Sequence, residues 1–550
     1  MTLILHNNKI YIQFPYRADL VAFMQQLPGR TWDKVTQSWV IPVDCGHTTL
    51  ADLARVGFPI PENVRVAVQA AHDKRQTLRQ LQSETDTVFE TALPLYPFQR
   101  VVAQYMVTAG SCLNACGVGL GKTITTIATC RSLKAKRILV VVPKSLVFQW
   151  QAEFKKWGWM DGVIKIYMGR KDVRQKMSYS FGEPEIVIVG YDTLRVDIEN
   201  FKMDSRDDID WDVIICDEAH RLANIQSATY KALKKLTATH RFALTATPLM
   251  NRVQDFYGII DWLQPGFLGS WMRFVDRYVI KDYGGSAVGT RNIDELKTKL
   301  LPVMIRKTLD EVQLQLPPLT EVELPVQLSD KERKLYKQIQ QELLFQLQKE
   351  DISKLTTPMI LQHALVKLGK LQELVDSMEL IGDSKDSSKL EALVEHLKDS
   401  IHAREKAIIF TRFTRMVTIL MRELAAYNPV MITGAVTGLE RDNAVDTFQN
   451  IDSCRLMIAS DAGGAGLNLQ AASVVYNYDL PWSHGKLVQR IGRAHRIGQV
   501  KPVLVVNLIV QQSVDNHVWK QLKAKSRLSD QMLETPVFES LSDVQQVLQE

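Results

Sequence analysis

The sequence predicts an α/β protein with two lobes built on parallel sheets, helical segments between them, and a small α+β module at the amino terminus. Strand-like apolar runs alternate with helical stretches from about residue 91 to residue 310, and a second such series begins at residue 406. This alternation is typical of βαβ units around a buried parallel sheet. A glycine-rich loop opens one helix of the first series, a position that favours phosphate binding. The length of 550 residues accommodates about three or four domains.

The composition is that of a folded globular protein, with 46% apolar and 23% charged residues. The formal net charge of +6 is too small to indicate a nucleic-acid-binding protein by itself; if DNA or RNA is the partner, the basic residues that contact it must be locally clustered. Apart from one Cys-x3-Cys pair, the 6 cysteines are widely spaced and have no His-rich companion spacing, which predicts reduced thiols, no zinc and a cytoplasmic location. Because no apolar run approaches about 20 residues and the apolar amino-terminal stretch is short, we expect neither secretion nor a membrane span.

Residues 1–68 form the first predicted unit. An alternating run predicts a strand at 10–14, and a helical run follows at 19–27. The segment 31–42 reads as a hairpin whose turn lies near residues 34–37.

The two predicted lobes follow a polar, helix-compatible linker. Their strands are the apolar runs RILVVVP, EIVIVGY, DVIICDE and RFALTATP in the first lobe, and KAIIFTR, CRLMIAS, SVVYNYD and PVLVVNLI in the second. A helix candidate with a Ser-x-x-Glu capping signal, SDKERKLYKQIQQELLFQLQKE, separates the two series. The predicted boundaries are 69–90 for the linker, 91–320 for lobe one, 321–388 for the helical insertion and its polar linker, 389–512 for lobe two and 513–550 for a carboxyl-terminal helix and tail.

The strongest local signal is the run ACGVGLGKTITT, which follows a short apolar strand and opens a helical run. Gly119 and Gly121 let backbone N–H groups approach a triphosphate. Lys122 can neutralise the outer phosphates, and Thr123 can bind Mg²⁺. Cys116 stands where the full Gly-x4-Gly-Lys-Thr pattern needs its first glycine, so a glycine-rich turn beside a surface lysine is the alternative.

A pair of carboxylates, Asp217 and Glu218, follows the apolar run VIIC at the predicted carboxyl end of a strand, where parallel sheets bind ligands. In such a site Asp217 would hold Mg²⁺, directly or through water. Glu218 would orient and deprotonate the attacking water. A helix cap is the alternative for an isolated pair of this kind, but the order of the two signals favours an ATP site.

Further segments occur along the chain in one order: LPLYPFQRVVAQYM, VVVPKSLVFQWQAEFKKW, VIVGYDTLR, LTATPLMN, MIRKTLDEVQLQLPP, IIFTRF, ASDAGGAGLNLQAASVVYNYDLPWS and QRIGRAHRIGQ. They resemble, in that order, the motifs of superfamily 2 helicase-like ATPases, and more narrowly those of the Swi/Snf family of double-stranded DNA translocases. The last run is the most diagnostic, because RNA helicases of the superfamily usually carry a differently spaced Gln-x-x-Gly-Arg-x-Gly-Arg. The resemblance covers roughly residues 93–530.

The chain departs from the family pattern at two places. Cys116-Gly117-Val118 replaces the Asp-Glu-Met that is common before Gly-Leu-Gly-Lys-Thr, and Gly492 stands where Asp is common. The first departure leaves the phosphate-binding glycines in place. The second affects a supporting contact near the arginines of the last motif.

The resemblance implies two RecA-like lobes with ATP and Mg²⁺ in the cleft between them. It places Gln99 in the adenine-reading position and Gly466 beside the nucleotide. Arg493 and Arg496 lie three residues apart, so both guanidinium groups can face the opposite lobe and the γ-phosphate; a structural ion pair is the alternative. Because the phosphate loop and the arginines belong to different lobes, ATP binding would drive closure and hydrolysis would release it.

The resemblance also implies contacts to DNA phosphates that do not read base sequence. The candidates are Lys144, Thr193 and Thr245 on lobe one, and Thr411, Arg412, Ser460 and Asn468 on lobe two. Each of these residues could equally be a cap or turn residue. The run beginning SVDNHVWKQLK resembles the helix that braces lobe two against lobe one.

The first 68 residues resemble the HARP module of annealing helicases, which rewind or remodel branched DNA. Four aromatic residues of this unit could stack on unpaired bases or form its core: Phe14, Tyr16, Trp32 and Trp39. Its basic residues Arg17, Arg30 and Lys34 are candidates for phosphate contacts.

The leading hypothesis is a monomeric, ATP-driven translocase on double-stranded DNA that remodels or reanneals forked or branched DNA. A second hypothesis keeps the motor and makes its target a DNA-bound protein, such as a polymerase or a nucleoid protein. A third is a nucleotide-gated DNA-binding module without turnover, which the intact Lys122, Glu218 and two arginines argue against.

Overall fold

The computed structural model shows a small amino-terminal module and two larger lobes. It describes residues 1–6, 9–27, 29–43, 46–159, 163–175, 185–201, 211–246, 253–281, 287–309, 311–312, 316–349, 357–402, 405–436, 438–464 and 466–526.

The amino-terminal module is an antiparallel sheet with two helices. Its elements are β1 (Thr2–His6), β2 (Lys9–Gln13), α1 (Ala18–Met24), β3 (Thr31–Asp33), β4 (Ser38–Pro42) and α2 (Gly46–Arg55). The strand order is β1-β2-β4-β3. Ile10 and Ile12 alternate into the core and are fully buried. The hairpin turn predicted near residues 34–37 is confirmed, since it joins β3 to β4 and Gln37 has a left-handed φ of 48°.

A single helix, α3 (Glu62–Ser83), connects the module to lobe one. Val64 and Val68 in its first half belong to the core of the module. Leu78 and Leu81 in its second half belong to the core of lobe one. The predicted boundary at residue 68 therefore falls inside a continuous helix, and the predicted helical linker is the second half of that helix.

Lobe one is built on a parallel sheet covered by helices on both faces. Its elements are α4 (Pro97–Ala109), β5 (Ser111–Asn114), α5 (Lys122–Ser132), β6 (Arg137–Val142), α6 (Val147–Lys156), β7 (Val163–Tyr167), α7 (Lys171–Gln175), β8 (Glu185–Gly190), α8 (Tyr191–Val196), β9 (Trp211–Asp217), α9 (Ala228–Leu233), β10 (Ala238–Leu244), α10 (Gln254–Leu263), α11 (Trp271–Tyr278), β11 (Val279–Lys281), β12 (Ala287–Thr290), α12 (Ile293–Leu300) and β13 (Met304–Ile305). The sheet order is β13-β5-β10-β9-β6-β8-β7, and every pairing is parallel. Along β6, Leu139 and Val141 enter one core while Ile138 and Val140 enter the other, so both faces of the sheet are buried.

Lobe two repeats this architecture. Its elements are β14 (Leu319–Val326), α13 (Asp330–Lys349), α14 (Thr357–Asp376), α15 (Ser388–His402), β15 (Ala407–Thr411), α16 (Thr414–Glu423), β16 (Val430–Ile432), α17 (Leu439–Asn450), β17 (Leu456–Ser460), α18 (Asp461–Gly464), β18 (Val474–Asn477), α19 (His484–Ile491), β19 (Val503–Val510) and α20 (Val514–Ser526). The sheet order is β14-β19-β18-β15-β17-β16, again parallel throughout. The predicted α/β class with two parallel-sheet lobes is confirmed.

The predicted boundary at residue 320 falls inside β14, which pairs along its whole length with β19. Residues 321–326 therefore extend the sheet of lobe two and are not part of a helical insertion. β14 is an edge strand whose outer side faces water, so polar residues such as Glu321 and Glu323 are tolerated in it.

The carboxyl-terminal helix predicted from residue 513 is present as α20. The tail beyond residue 526 lies outside the described residues, as do residues 247–251 of the LTATPLMN motif. Among the helices that the structure describes, none combines the length and apolarity needed to cross a membrane.

Candidate nucleotide site and interlobe cleft

The phosphate loop connects the end of β5 to the first residue of α5. Gly119 and Gly121 have left-handed φ angles of 80° and 75°, which favour glycine. Gly121 caps the amino end of α5, so the first N–H groups of that helix point towards the loop. The loop thus has the open backbone and helix dipole that phosphate groups require.

Gln99 fixes this loop from α4. Its Oε1 accepts a hydrogen bond from the Tyr96 backbone N–H at 3.0 Å, and its Nε2 donates to the Leu120 carbonyl at 3.0 Å. A Cβ at position 121 would lie 2.4 Å from Gln99 Nε2, so only glycine fits beside this amide. Gln99 is buried and lies against the loop; adenine reading stays a prediction for it.

Lys122 folds back over its own loop. Its Nζ donates to the carbonyl oxygens of Cys116 and Gly117, at 2.9 and 3.1 Å. Burial lowers the pKa of Lys122, and the carboxylates of Glu218 and Asp217 oppose that change. The lysine therefore lies between the loop and the two carboxylates at the end of β9.

Asp217 is held firmly at the end of β9. The Trp150 indole Nε1 donates to its Oδ2 at 2.9 Å, and the Glu218 backbone N–H donates to its Oδ1 at 2.9 Å. The pKa of Asp217 is raised to about 6, mainly by burial and to a lesser extent by repulsion from Glu218. A bound cation would favour the ionised form of this carboxylate.

Glu218 has an unusual backbone for a non-glycine residue, with φ 50° and ψ 50°. Its Oε2 lies 3.3 Å from His220 Nδ1, an ion-pair distance. Burial opposes ionisation, but His220, Lys122 and Arg493 outweigh it and lower the pKa of Glu218. Glu218 is therefore an ionised carboxylate that faces His220, Lys122 and Arg493.

Arg493 and Arg496 reach this site from lobe two. The pKa of Arg493 is lowered to about 10, mainly by burial and to a lesser extent by repulsion from Arg496. Burial also lowers the pKa of Arg496. Within the described part of the chain, the buried Arg496 Nε has no hydrogen-bond partner. Arg496 Nη1 donates to the Leu467 carbonyl at 3.4 Å. A Cβ on Gly119 would lie 2.8 Å from Arg496 Cβ, so this segment touches the phosphate loop directly.

These residues fit a nucleotide triphosphate with Mg²⁺. Lys122, Arg493 and Arg496 bring three positive charges to the loop, while Arg496 Nε is a buried atom without a hydrogen-bond partner among the described residues. Such groups are costly to bury unless a ligand satisfies them. Thr123, at the second position of α5, and Asp217 are oxygen donors of the kind that Mg²⁺ prefers. Searching the described residues reveals no cluster of three or more His, Cys, Asp or Glu side chains suited to another metal site.

Arg490 supports the arginine segment and was missed by the sequence analysis. It lies in the last turn of α19 and is buried. Its Nε donates to Asp461 at 2.7 Å, and its Nη2 donates to Asp479 at 3.1 Å. The only sequence signal for this role was its position three residues before Arg493, because the acceptors lie at the start of α18 and just after β18.

Gly466, predicted beside the nucleotide, packs against lobe one at a different point. Its φ is 77°, and a Cβ there would lie 1.8 Å from Leu146 Cδ2 and 2.7 Å from Gln149 Oε1. Leu146 and Gln149 lie in the motif segment between β6 and the end of α6. Gly466 is thus part of the close contact between the lobes, and nucleotide binding stays a prediction for it.

A cavity of about 780 Å³ lies between the lobes and joins Glu218 and Arg493 to two of the predicted DNA contacts. Glu218 and Arg493 line it on the nucleotide side. Lys144 and Asn468, both candidates for DNA phosphate contacts, also line it. The carboxylate predicted to be catalytic and these candidates therefore share one interlobe space.

The predicted DNA contacts on lobe one differ in exposure. Lys144 is exposed and Thr193 is half-buried. A Cβ on Gly190 would lie 3.8 Å from Lys144 Cα and 3.9 Å from Thr193 Oγ1, so these two residues are neighbours at the carboxyl end of β8. Thr245 is fully buried, and its backbone N–H donates to the Asn114 carbonyl at 3.2 Å. DNA contact stays a prediction for all three residues.

On lobe two, Asn468 is half-buried, whereas Thr411 and Ser460 are buried. The Thr411 hydroxyl donates to Asp479 Oδ2 at 2.5 Å. Ser460 Oγ accepts a hydrogen bond from the backbone N–H of residue 463 at 3.1 Å. These two hydroxyls are thus occupied within the lobe. DNA contact stays a prediction for all three residues.

Arg412 also lies mostly inside lobe two. Its guanidinium carbon lies 4.1 Å from the centre of the Trp482 ring, a cation–π contact. Its Nη1 donates to Gln372 Oε1 at 2.5 Å, and its backbone N–H donates to Asp479 Oδ2 at 2.8 Å. Arg412 therefore ties the end of β15 to α14, and DNA contact stays a prediction for it.

In the amino-terminal module, Arg17 and Lys34 are exposed, and Arg30 is half-buried with Nη1 donating to the Leu27 carbonyl at 2.9 Å. Trp39 packs at the edge of the core. Trp32 is 49% exposed and lies 5.4 Å from Trp39 in an edge-on contact. The tryptophans thus divide between core and surface.

Two family models match this chain. The model described as "SNF2-related domain" matches residues 45–379, and the model described as "Helicase conserved C-terminal domain" matches residues 388–498. The first alone covers more than half of the chain. Together they span both lobes.

Individual proteins are also similar. The "SWI/SNF-related matrix-associated actin-dependent regulator of chromatin subfamily A member 1" of Mus musculus is 30% identical over 75% of this chain and 40% of its own length. The "Uncharacterized ATP-dependent helicase YqhH" of Bacillus subtilis is 29% identical over 80% of this chain and 79% of its own length. A solved structure, "Sulfolobus solfataricus SWI2/SNF2 ATPase core in complex with dsDNA", is 26% identical, with 81% of this chain and 94% of that chain covered at a TM-score of 0.39. The chain spans less than half of the length of several relatives, with 47% and 40% in two cases.

Proposed function

This chain belongs to the SNF2-related family, and from that membership we propose that it is a DNA-dependent ATPase that translocates on double-stranded DNA and remodels or reanneals forked or branched DNA. One observation carries the proposal. Two arginines of lobe two meet the phosphate loop and the ionised Glu218 of lobe one across the interlobe seam. Such a divided site is complete only when the lobes close, which is what couples ATP turnover to movement.

The residues of the site have separate tasks. Gly119, Gly121 and Lys122 would hold the triphosphate, and Gln99 would read the adenine. Thr123 and Asp217 would hold Mg²⁺, which when bound neutralises charge on the phosphates.

Glu218 would be the proton acceptor in this reaction. Its carboxylate would accept a proton from the attacking water, since its pKa is lowered and it is ionised at neutral pH. Arg493 and Arg496 would stabilise charge that develops on the transferred phosphoryl group, an effect worth about 10³–10⁵ in rate in related chemistry.

DNA binding would couple to this site through α6. Lys144 precedes that helix and is exposed, while Trp150 within it donates to Asp217. A phosphate bound at Lys144 would therefore act on the helix that orients the Mg²⁺ ligand. With Thr193 and Asn468, Lys144 would form the accessible part of a track along the DNA backbone. Thr245, Thr411, Arg412 and Ser460 would contribute to the track by shaping the strand ends, and would touch DNA only after local rearrangement.

The HARP-like module would give preference for branched DNA. Arg17, Arg30 and Lys34 would contact phosphates there. Trp32, on the same hairpin as Lys34, is exposed enough to stack on an unpaired base.

Trp32→Ala is expected to weaken binding to forked DNA by about 1–3 kcal/mol, because base stacking on an aromatic side chain is lost. Binding to unbranched duplex should change little. Fluorescence anisotropy with matched fork and duplex probes measures both. Val35→Ala is the control, since Val35 is 92% exposed on the same hairpin and cannot stack. The stacking role would be refuted if both variants lost the same affinity for forked DNA, or if Trp32→Ala lost the same affinity for duplex as for forked DNA.

The ATPase rate with no DNA, single-stranded, duplex and forked DNA tests the proposed function. We expect stimulation by duplex and a further increase with forks. If no DNA form stimulates hydrolysis, the translocase proposal fails, and the nucleotide-gated binding module is favoured. A motor that displaces DNA-bound proteins would be stimulated by duplex alone, with no preference for forks.

A further inference from the structure

The two departures from the family pattern lie on opposite sides of one interlobe contact. Val118 belongs to the phosphate loop of lobe one, and Gly492 follows α19 of lobe two. A Cβ on Gly492 would lie 2.3 Å from Val118 Cγ1 and 3.1 Å from Val118 Cβ. Real Cβ atoms do not approach other heavy atoms within 3.0 Å, so the isopropyl group of Val118 occupies the space that a side chain at 492 would need.

The backbone does not explain the glycine at 492. Gly492 has φ −67° and ψ 1°, which any L-residue adopts. Gly119 and Gly466 differ in this respect, since their left-handed φ angles favour glycine whatever surrounds them. At position 492 glycine is required by space alone. Val118 of the other lobe sets the tightest limit, and the Val488 carbonyl oxygen of α19 would lie 3.2 Å from the same Cβ.

This contact adjoins the arginines. Gly492 directly precedes Arg493, and Arg496 touches the loop on the other side of Val118, at Gly119. The arginine segment and the phosphate loop are thus in van der Waals contact at two neighbouring points. A side chain at 492 would separate them at the first point and move both guanidinium groups away from the loop.

We propose that Val118 and Gly492 are a matched positioning pair that sets how deeply the arginine segment seats on the phosphate loop. The proposal rests on the ATPase function proposed for the same site. Neither residue touches the reacting atoms; both act through Arg493 and Arg496. A misplacement of about 1 Å in such a site costs on the order of 100-fold in rate.

The test measures kcat and KM for ATP in the full chain with saturating duplex DNA. Gly492→Ala is expected to lower kcat about 10- to 100-fold, with KM for ATP within about threefold, because the loop and Lys122 are unchanged. Adding Val118→Ala removes the obstructing methyl groups, so the double variant should return to within about threefold of Val118→Ala alone. Gly369→Ala is the control: a Cβ there, in α14, meets nothing within 4 Å, and kcat should not change.

A second measurement does not depend on activity. Because a Cβ on residue 492 lies 3.1 Å from Val118 Cβ, near the separation of about 3.5–4.5 Å in disulfides, Val118→Cys with Gly492→Cys should cross-link under mild oxidation. Peptide mass spectrometry under non-reducing conditions identifies the bond.

The outcomes separate this proposal from the proposed function. If the natural chain does not hydrolyse ATP, the proposed function fails, while the cross-link still tests the contact. If the natural chain hydrolyses ATP and Gly492→Ala matches its kcat, the pairing is overturned. It is equally overturned if the double variant is no faster than Gly492→Ala, or if no cross-link forms.

Discussion

Glu218→Gln is expected to bind ATP as the natural chain does and to hydrolyse it about 10²–10⁴-fold more slowly. The amide keeps the size of the side chain but cannot accept the proton of the attacking water. Binding should persist because Lys122, the loop glycines and Asp217 are unchanged. Binding of a fluorescent ATP analogue and the steady-state release of phosphate measure the two effects separately.

Glu199→Gln is the matched control for this prediction. Glu199 is an exposed carboxylate on lobe one that pairs with Lys235 at 3.3 Å, and it has no part in the proposed ATP site. Its loss should leave hydrolysis within experimental error of the natural rate. Turnover by Glu218→Gln equal to that of the control would refute the water-activating role.

Lys389→Met is expected to lower the free energy of unfolding of lobe two by about 3–5 kcal/mol, because it leaves buried carboxylates without a counter-ion. Lys389 Nζ lies 2.8 Å from Asp376 Oδ1 and 2.5 Å from Asp515 Oδ2, and all three side chains are fully buried. Urea unfolding followed by tryptophan fluorescence measures the loss. The contact also holds α20 to α14 and α15, so the variant should release the carboxyl-terminal helix first.

Lys331→Met is the control, since Lys331 pairs with Asp386 at 2.8 Å but is 56% exposed. An exposed pair of this kind contributes about 0–1 kcal/mol. Equal destabilisation by the two variants would contradict the importance of burial.

The deficit of Lys389→Met should shrink as the pH falls. Burial already raises the pKa of Asp376 well above its ordinary value and raises that of Asp515 in the natural chain, and losing the lysine raises both further. Carboxyl groups with a raised folded pKa bind protons more readily in the folded state than in the unfolded state. Stability therefore recovers as the pH falls from the raised folded pKa towards the ordinary value of about 4, and is lost as the pH rises. A deficit independent of pH would contradict this account.

The elements and the phosphate loop could be predicted from sequence because their signals are local. The loop from Gly119 to Thr123 lies in one continuous run, and each buried strand is an uninterrupted apolar segment. The presence of two lobes could be predicted because the alternation of strand and helix signals occurs in two series along the chain.

The remaining features depend on contacts between distant segments. The partner of β14 is β19, nearly 200 residues later, so its polar sequence gave no indication of its place in the sheet. The burial of Thr411 depends on Asp479, and the seat of Gly492 depends on Val118 in the other lobe. No local pattern specifies which distant side chain occupies a given space.

The most direct test of the central claim is displacement of the third strand from a DNA triplex in which the full chain must move along the duplex to reach it. The account predicts that the third strand is released with ATP, that release stops with a non-hydrolysable analogue, and that Glu218→Gln releases none. Duplex-stimulated ATP hydrolysis by the natural chain with the third strand still bound would contradict translocation on double-stranded DNA.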